Sequence, residues 1–254
     1  MVSRWPSTLW LVRHGESAGN VAAQLAMDSG LDRIPLSGRD MDIPLSPRGR
    51  EQAHALGRWF ADGKAGSLPE IILSSPYLRA HDTATRFRAA GGADAHEVII
   101  LDERLREKET GILDGLTPSG VAAINPEQAQ FRHILGKFYH RAPGGESWCD
   151  VILRLRAMMD TISLHYAGQR VMIVAHQVIV LCLRYILEEM DEAQILAIDA
   201  AGDVANCSIT EYRFDPDSRT RGCLKLVRYN VIEALAEANA GVTSAPDPIV
   251  AARG

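Results

Sequence analysis

A chain of 254 residues has room for one large α/β domain or at most two small ones, and its 46% hydrophobic and 23% charged content is ordinary for a soluble globular protein. The formal charge of -5 argues against nucleic acid as a partner and gives no help toward an anionic membrane surface, since such binders present a net basic face. A small anionic substrate is still compatible, because a few clustered arginines make a positive pocket in an acidic protein. The four cysteines, Cys149, Cys182, Cys207 and Cys223, form no C-x-x-C pair, the first residues lack an apolar leader core, and no run reaches the length of a membrane span. A reduced, cytoplasmic protein is the expectation.

In chain order, Thr8 to Val12 (T-L-W-L-V) reads as a short buried strand running into Arg13-His14-Gly15. The Ala-rich stretch from Glu16 to Met27 is compatible with a helix, and Asp28 to Pro47, with Gly, Pro and Asp throughout, reads as a long loop. Ser46-Pro47 then has the form of a helix start with proline at its first position, and the helix runs through Ala61. Glu70 to Leu73 is a second strand, ending in Ser74-Ser75-Pro76, with helical composition from Tyr77 to Ala90; Val98 to Leu101 is a third. Thr117 to Tyr139 is weakly patterned and suits two short helices, and Pro143-Gly144-Gly145 is a break. Ser147 and Asp150 form a capping box that opens an amphipathic helix with Val151, Leu155, Met158, Met159 and Ile162 on one face. Val171 to Val174 is the fourth strand, ending at Ala175-His176, and Val178 to Leu187 reads as a buried helix. Ser208 to Phe214 and Leu224 to Tyr229 form two strands joined by a turn. Residues 1–233 are therefore expected to form one domain, and 234–254 a flexible tail.

Strands alternating with helices predict a mostly parallel sheet covered on both faces, with ligands beyond the carboxyl ends of the strands. His14 and His176 each follow a predicted strand directly, and Arg79 follows another closely. Neutral imidazole is an available nucleophile near neutral pH, an adjacent arginine grips phosphate oxygens with a planar fork, and glycine allows close backbone approach. Arg79 falls in the first turn of a helix, where the dipole also favours an anion. A leaving alkoxide needs a proton donor, and Glu103, Glu107 and Glu109 all qualify by type. His176 is suited to donate to the oxygens of a transferring phosphoryl group. No metal-ligand spacing such as H-E-x-x-H is present.

Taken together, R-H-G-E at 13–16, S-P-x-x-R-x-x-x-T-A at 75–84, L-x-E at 105–107 with Gly111 and Gly115 behind it, and V-x-x-H at 173–176 resemble, in this order, the histidine phosphatase (phosphoglycerate mutase-like) family, over about Leu9 to Tyr229. The resemblance implies a three-layer α/β/α sandwich around a mostly parallel central sheet, and a phosphatase that hydrolyses a phosphate monoester of a small metabolite, such as a sugar phosphate. It makes His14 the phosphorylated nucleophile, Arg13, Arg79 and His176 the phosphate pocket, Glu107 the proton donor and Asn20 a further phosphate-side contact. It implies no metal and no cofactor, because two arginines and a second histidine supply the positive charge.

Gln177 stands where the family often has glycine, and with Pro143-Gly144-Gly145-Glu146-Ser147 it resembles the fructose-2,6-bisphosphatase branch. By that resemblance Gln177 and Lys137 become substrate contacts. The arginine that accompanies the lysine there is out of register: His133 occupies its place, with Arg132 adjacent. The segment between Asp28 and Ile43 is an insertion whose Arg33 and Arg39 lie within chain reach of the pocket. Cofactor-dependent mutases carry Arg-Arg and Pro-Pro pairs after the catalytic glutamate; none occurs between Glu107 and Pro143, which favours phosphatase over mutase. A pocket that binds a phosphorylated ligand without turnover is the third alternative.

Overall fold

The computed structural model describes residues 4–218 and 223–245. Its centre is set by two apolar strands buried on both faces, β1 (Thr8–Arg13) and β4 (Arg170–Ala175), which pair in parallel with Arg13 opposite Ala175. Successive side chains of a strand point to opposite faces, so these two strands feed two separate cores. Leu9, Leu11, Val171 and Ile173 pack into one, with Val151, Leu155 and Met158 of α6 (Trp148–His165) and Ile179 and Leu183 of α7 (Gln177–Leu187). Trp10, Val12, Met172 and Val174 pack into the other, with Leu56 and Phe60 of α2 (Pro47–Ala61) and Ala80, Ala84 and Phe87 of α3 (Leu78–Phe87). Helices therefore cover both faces, and the architecture is the expected α/β/α sandwich.

Beside β4 lies β2 (Ile71–Ser74), then β3 (Ile99–Leu101); beyond β1 lie β5 (Ile209–Phe214) and β6 (Leu224–Val231), giving the order β3-β2-β4-β1-β5-β6. The first four strands are mutually parallel, whereas β5 runs antiparallel to β1 and to β6. The parallel strands end together at one rim, which places the residues after β1, β2 and β4 side by side.

Local signals set the helix starts. Ser17 and Asn20 form a capping box on α1 (Ala18–Asp28), Ser46 caps α2 with Pro47 at its first position, and Ser147 with Asp150 caps α6 as the sequence indicates. The weakly patterned middle is two helices, α4 (Pro118–Ile124) and α5 (Pro126–Tyr139), the second broken by Gly136 at φ 74°. The long 28–47 loop holds a 3-10 turn at Asp40–Asp42. Two helices have no counterpart in the sequence-based expectations, the short one at 233–237 and α8 (Glu192–Ala201); the capping box of α8 is Asp191 and Gln194, but its buried residues are only Ile195 and Asp199, too few to give an amphipathic pattern.

The segment from residue 234, expected as a flexible tail, makes contacts with the domain as far as Ala245. Short helix α9 (Glu233–Glu237) buries Ala234 and Leu235 in the α2 and α3 core, together with Ala240. Beyond it Gln52 donates to the Gly241 carbonyl and to Thr243 Oγ1, and Asn206 N–H donates to the Thr243 carbonyl. Apolar anchors and satisfied backbone groups outweigh the loose composition here. Residues 246–254, the rest of that expectation, lie outside the described residues.

Candidate active site

The register of β1 and β4 decides the centre of the site. Because Arg13 pairs with Ala175, the next residues, His14 and His176, leave the sheet together: His14 N–H donates to the Ala175 carbonyl at 2.9 Å, and the two rings meet edge-on with centroids 5.1 Å apart. β2 contributes the third strand end, where Ser75 N–H donates to the Val174 carbonyl and Ser75 Oγ lies 2.8 Å from His176 Nε2. Arg79, in the first turn of α3, lies fully buried with its Nε 3.3 Å from His14 Nε2.

These contacts fix the His14 tautomer. A guanidinium only donates, so Arg79 Nε–H makes His14 Nε2 an acceptor, and the ring proton resides on Nδ1, which donates to the Gly15 carbonyl at 2.7 Å. The Nε2 lone pair therefore points to the arginine. The loop is pinned from behind by Thr83, whose Oγ1 accepts from Gly15 N–H while donating to the Arg79 carbonyl, and by Asn206, whose Nδ2 donates to the His14 carbonyl. Glu16 faces away from the ring: Oε1 accepts from Ser46 Oγ, and its N–H donates to Gln52, so it ties the loop to the start of α2.

Gly15 and Gly49 meet backbone to backbone. A Cβ on Gly15 would collide with the Gly49 carbonyl, and one on Gly49 with the Glu16 carbonyl. Gly49→Ala is accordingly expected to destabilise the protein by about 1–3 kcal/mol, read as a lowered thermal midpoint. An unchanged midpoint would show that the two backbones part at little cost.

Arg13, also fully buried, donates from Nη1 to the Val204 carbonyl and from Nη2 to the Ala245 carbonyl, each at 2.6 Å. Asn20 spends its Oδ1 on the Ser17 capping box and donates from Nδ2 to the same Ala245 carbonyl at 3.2 Å. Asn20 and Arg13 thus converge on one acceptor.

Burial separates the three candidate acids. Glu103 is exposed, Glu109 is half-buried and accepts from the Tyr77 hydroxyl at 2.7 Å, and Glu107 is buried. Glu107 Oε1 accepts from Lys108 N–H, and Arg154 ties its carbonyl to Glu146. Burial, and then the Glu109 contact, pushes the Tyr77 hydroxyl far up, so Tyr77 is a fixed donor; its ring packs edge-on against His176. Beside Glu107, burial and then the nearby Arg132 guanidinium hold the Lys108 ammonium below its usual range, and burial also lowers His140, followed by both cations.

The remaining substrate contacts expected from the sequence have other partners. Lys137 Nζ pairs with buried Asp199 and lies over the Trp148 ring, and Gln177 Nε2 donates to Asp203 at 2.7 Å. His133 is exposed while Arg132 is half-buried. Arg39 pairs with Asp42 at the surface, leaving Asp40 as the insertion residue that enters the site: Arg79 donates to its backbone carbonyl at 2.8 Å and to its two carboxylate oxygens at 3.0 and 3.1 Å. Asp40 and Asn206 carried no sequence signal of their own. Ser75 and Thr83 do flank Arg79 within the S-P-x-x-R-x-x-x-T-A segment. Among the described residues no group of three or more His, Cys, Asp or Glu is placed to hold a metal ion.

With this geometry in place, the whole span from β1 to β6 can be compared with known proteins. Residues 9–227 match the histidine phosphatase superfamily, branch 1. The chain belongs to that family. Its relatives include a bifunctional protein of Mycobacterium tuberculosis, 30% identical over 85% of this chain and 53% of the relative, so the chain spans about half that protein's length. A probable fructose-2,6-bisphosphatase of Schizosaccharomyces pombe is 30% identical over 69% of this chain and 37% of the relative. Among solved structures, a mycobacterial glucosyl-3-phosphoglycerate phosphatase in complex with inorganic phosphate superposes with a TM-score of 0.65, at 26% identity over 89% of this chain and 97% of that one. In this family member the strand-end histidines, Arg13 and Arg79 thus lie in a fold shared with a phosphate-binding phosphatase.

Proposed function

We propose that this chain is a cytoplasmic phosphatase that hydrolyses the phosphate monoester of a small metabolite, such as a sugar phosphate, through a phosphohistidine on His14. The supporting observation is the buried pairing of His14 Nε2, unprotonated in this tautomer, with the Arg79 guanidinium beside His176. In the first step Nε2 attacks phosphorus, the bond to the leaving oxygen breaks, and the Glu107 carboxyl gives that oxygen its proton. In the second, water attacks phosphorus, Glu107 takes the water's proton, and the N–P bond breaks. Arg13, Arg79, Asn20 and His176 hold the phosphoryl oxygens, with the charge that a metal supplies elsewhere coming from the guanidinium groups and the imidazole. Residues 1–233 form the catalytic domain, and the following segment to Ala245 walls its pocket. The partly buried cations Lys108 and Arg132, near one another beside Glu107, support an anionic metabolite over a neutral one.

A panel of sugar phosphates, phosphoglycerates and aryl phosphates tests this reading. Release of inorganic phosphate is expected, and it should persist undiminished in EDTA; loss on chelation would contradict the metal-independent step. Phosphoglycerate interconversion stimulated by a bisphosphoglycerate primer, without phosphate release, would assign a mutase. Tight phosphate binding without turnover of any ester would assign a binding protein.

A further inference from the structure

The insertion between α1 and α2 does more than lengthen a loop. It is fastened at both ends. On one side Ile34 is buried and its N–H donates to the Gly115 carbonyl, while Thr117 binds the Leu31 and Asp32 carbonyls. On the other, Ile43 is buried and Leu45 bridges to Ser17. Between these anchors residues 35–42 are exposed apart from Asp40, which is partly buried, and Gly38 turns the chain at φ 100°. The tip thus reaches the cradle through Asp40, whose carboxylate takes both Nη groups of Arg79 while its carbonyl takes Nη1 as well.

A carboxylate and a phosphate dock on a guanidinium in the same way, through two oxygens facing the N–H fork. With Nε directed at His14, the Nη edge bound by Asp40 is the one a phosphoryl group on Nε2 must use. The two cannot share it, since a phosphate dianion beside the Asp40 carboxylate would also be repelled. Asp114 registers the same crowding: burial, and next the Asp40 charge, raises its pKa.

We infer that Asp40 is an internal stand-in for phosphate, and that the 35–42 strap must release Arg79 before substrate binds. This rests on the phosphatase reading of the cradle. The strap then sets apparent affinity, because only the released fraction of molecules binds, and occupancy of the cradle frees the strap. An anion that is too small or too weakly charged fails to displace Asp40, so the strap also favours dianionic phosphate over monoanions.

Inorganic phosphate is the probe, titrated calorimetrically into the full chain. Asp40→Asn is expected to bind phosphate about tenfold more tightly than wild type, as follows if the strap is closed in about nine molecules of ten. Asp42→Asn, in the same turn but paired at the surface with Arg39, should match wild type. In the wild-type protein, saturating phosphate should speed amide exchange across residues 36–43, a readout that does not depend on any variant folding. Unchanged exchange, or equal or weaker phosphate binding by Asp40→Asn, would overturn the strap; if Arg79→Ala still lost phosphate, the cradle reading would survive. Phosphate bound by Arg79→Ala as well as by wild type would remove the cradle reading and the strap with it.

Discussion

His14→Ala should lower turnover by about 10⁴-fold or more on every ester that the wild-type protein hydrolyses, the scale seen when a nucleophile is removed. The reason is positional. His14 is the ring whose Nδ1 proton is engaged by Gly15, so that Nε2 is left as an acceptor facing Arg79. His176 is held in a different setting, with its Nε2 2.8 Å from Ser75 Oγ. Binding should change far less than chemistry, since Arg13, Asn20 and Arg79 remain. Removing a buried ring also leaves a cavity, so the thermal midpoint should fall; retained phosphate affinity in a calorimetric titration separates a folded, inactive variant from a misfolded one. A His14→Ala protein that binds phosphate and still turns over at the wild-type rate would contradict the phosphohistidine route.

The second large effect concerns the acid. For Glu107→Gln, hydrolysis of an alkyl phosphate is expected to slow by about 10²–10⁴-fold, the usual contribution of a placed proton donor. A p-nitrophenyl ester, whose leaving group departs without protonation, should be nearly unaffected in the first step. The steepened dependence on leaving-group pKa is the diagnostic, because a packing defect would slow all esters alike. Glu109→Gln is the matched comparison: Glu109 is committed to the Tyr77 hydroxyl, and its loss should leave that dependence as in wild type. A steepened slope for Glu109→Gln and not for Glu107→Gln would transfer the acid role to Glu109.

The sequence carried the site's centre because backbone topology alone positions it. R-H-G and V-x-x-H each end an apolar strand, parallel pairing sets Arg13 opposite Ala175, and the two histidines must then emerge together. Two capping residues were legible for the same reason: Ser46 and Ser147 act on backbone groups within their own helical turn, as the unanticipated Ser17 also does. Contacts made across the chain were not. Asp40 approaches Arg79 only because Ile34 and Ile43 anchor the insertion on distant loops, and nothing in D-M-D announces it. Lys137 follows Gly136, which breaks the helical phase, and its ion pair with Asp199 is likewise a contact that spacing from the P-G-G-E-S segment does not announce. The same helix turns Arg132 inward and His133 outward, so the apparent one-residue slip in register hid a half-buried arginine. Segment 234–245 looked loose because its anchors, Leu235 and Ala240, are small in number and lean on α2 rather than on one another.

Trapping the phosphoenzyme tests the central claim most directly. Purified protein is mixed with a ³²P-labelled ester, quenched within the first turnover in base, and digested for peptide mapping. Acid-labile, base-stable label is expected on the peptide containing His14, absent from His14→Ala and, when the ester is an aryl phosphate whose departure needs no acid, accumulating further in Glu107→Gln, where water is poorly activated. Label on any other residue, or rapid hydrolysis with no label at any quench time in either protein, would contradict that claim.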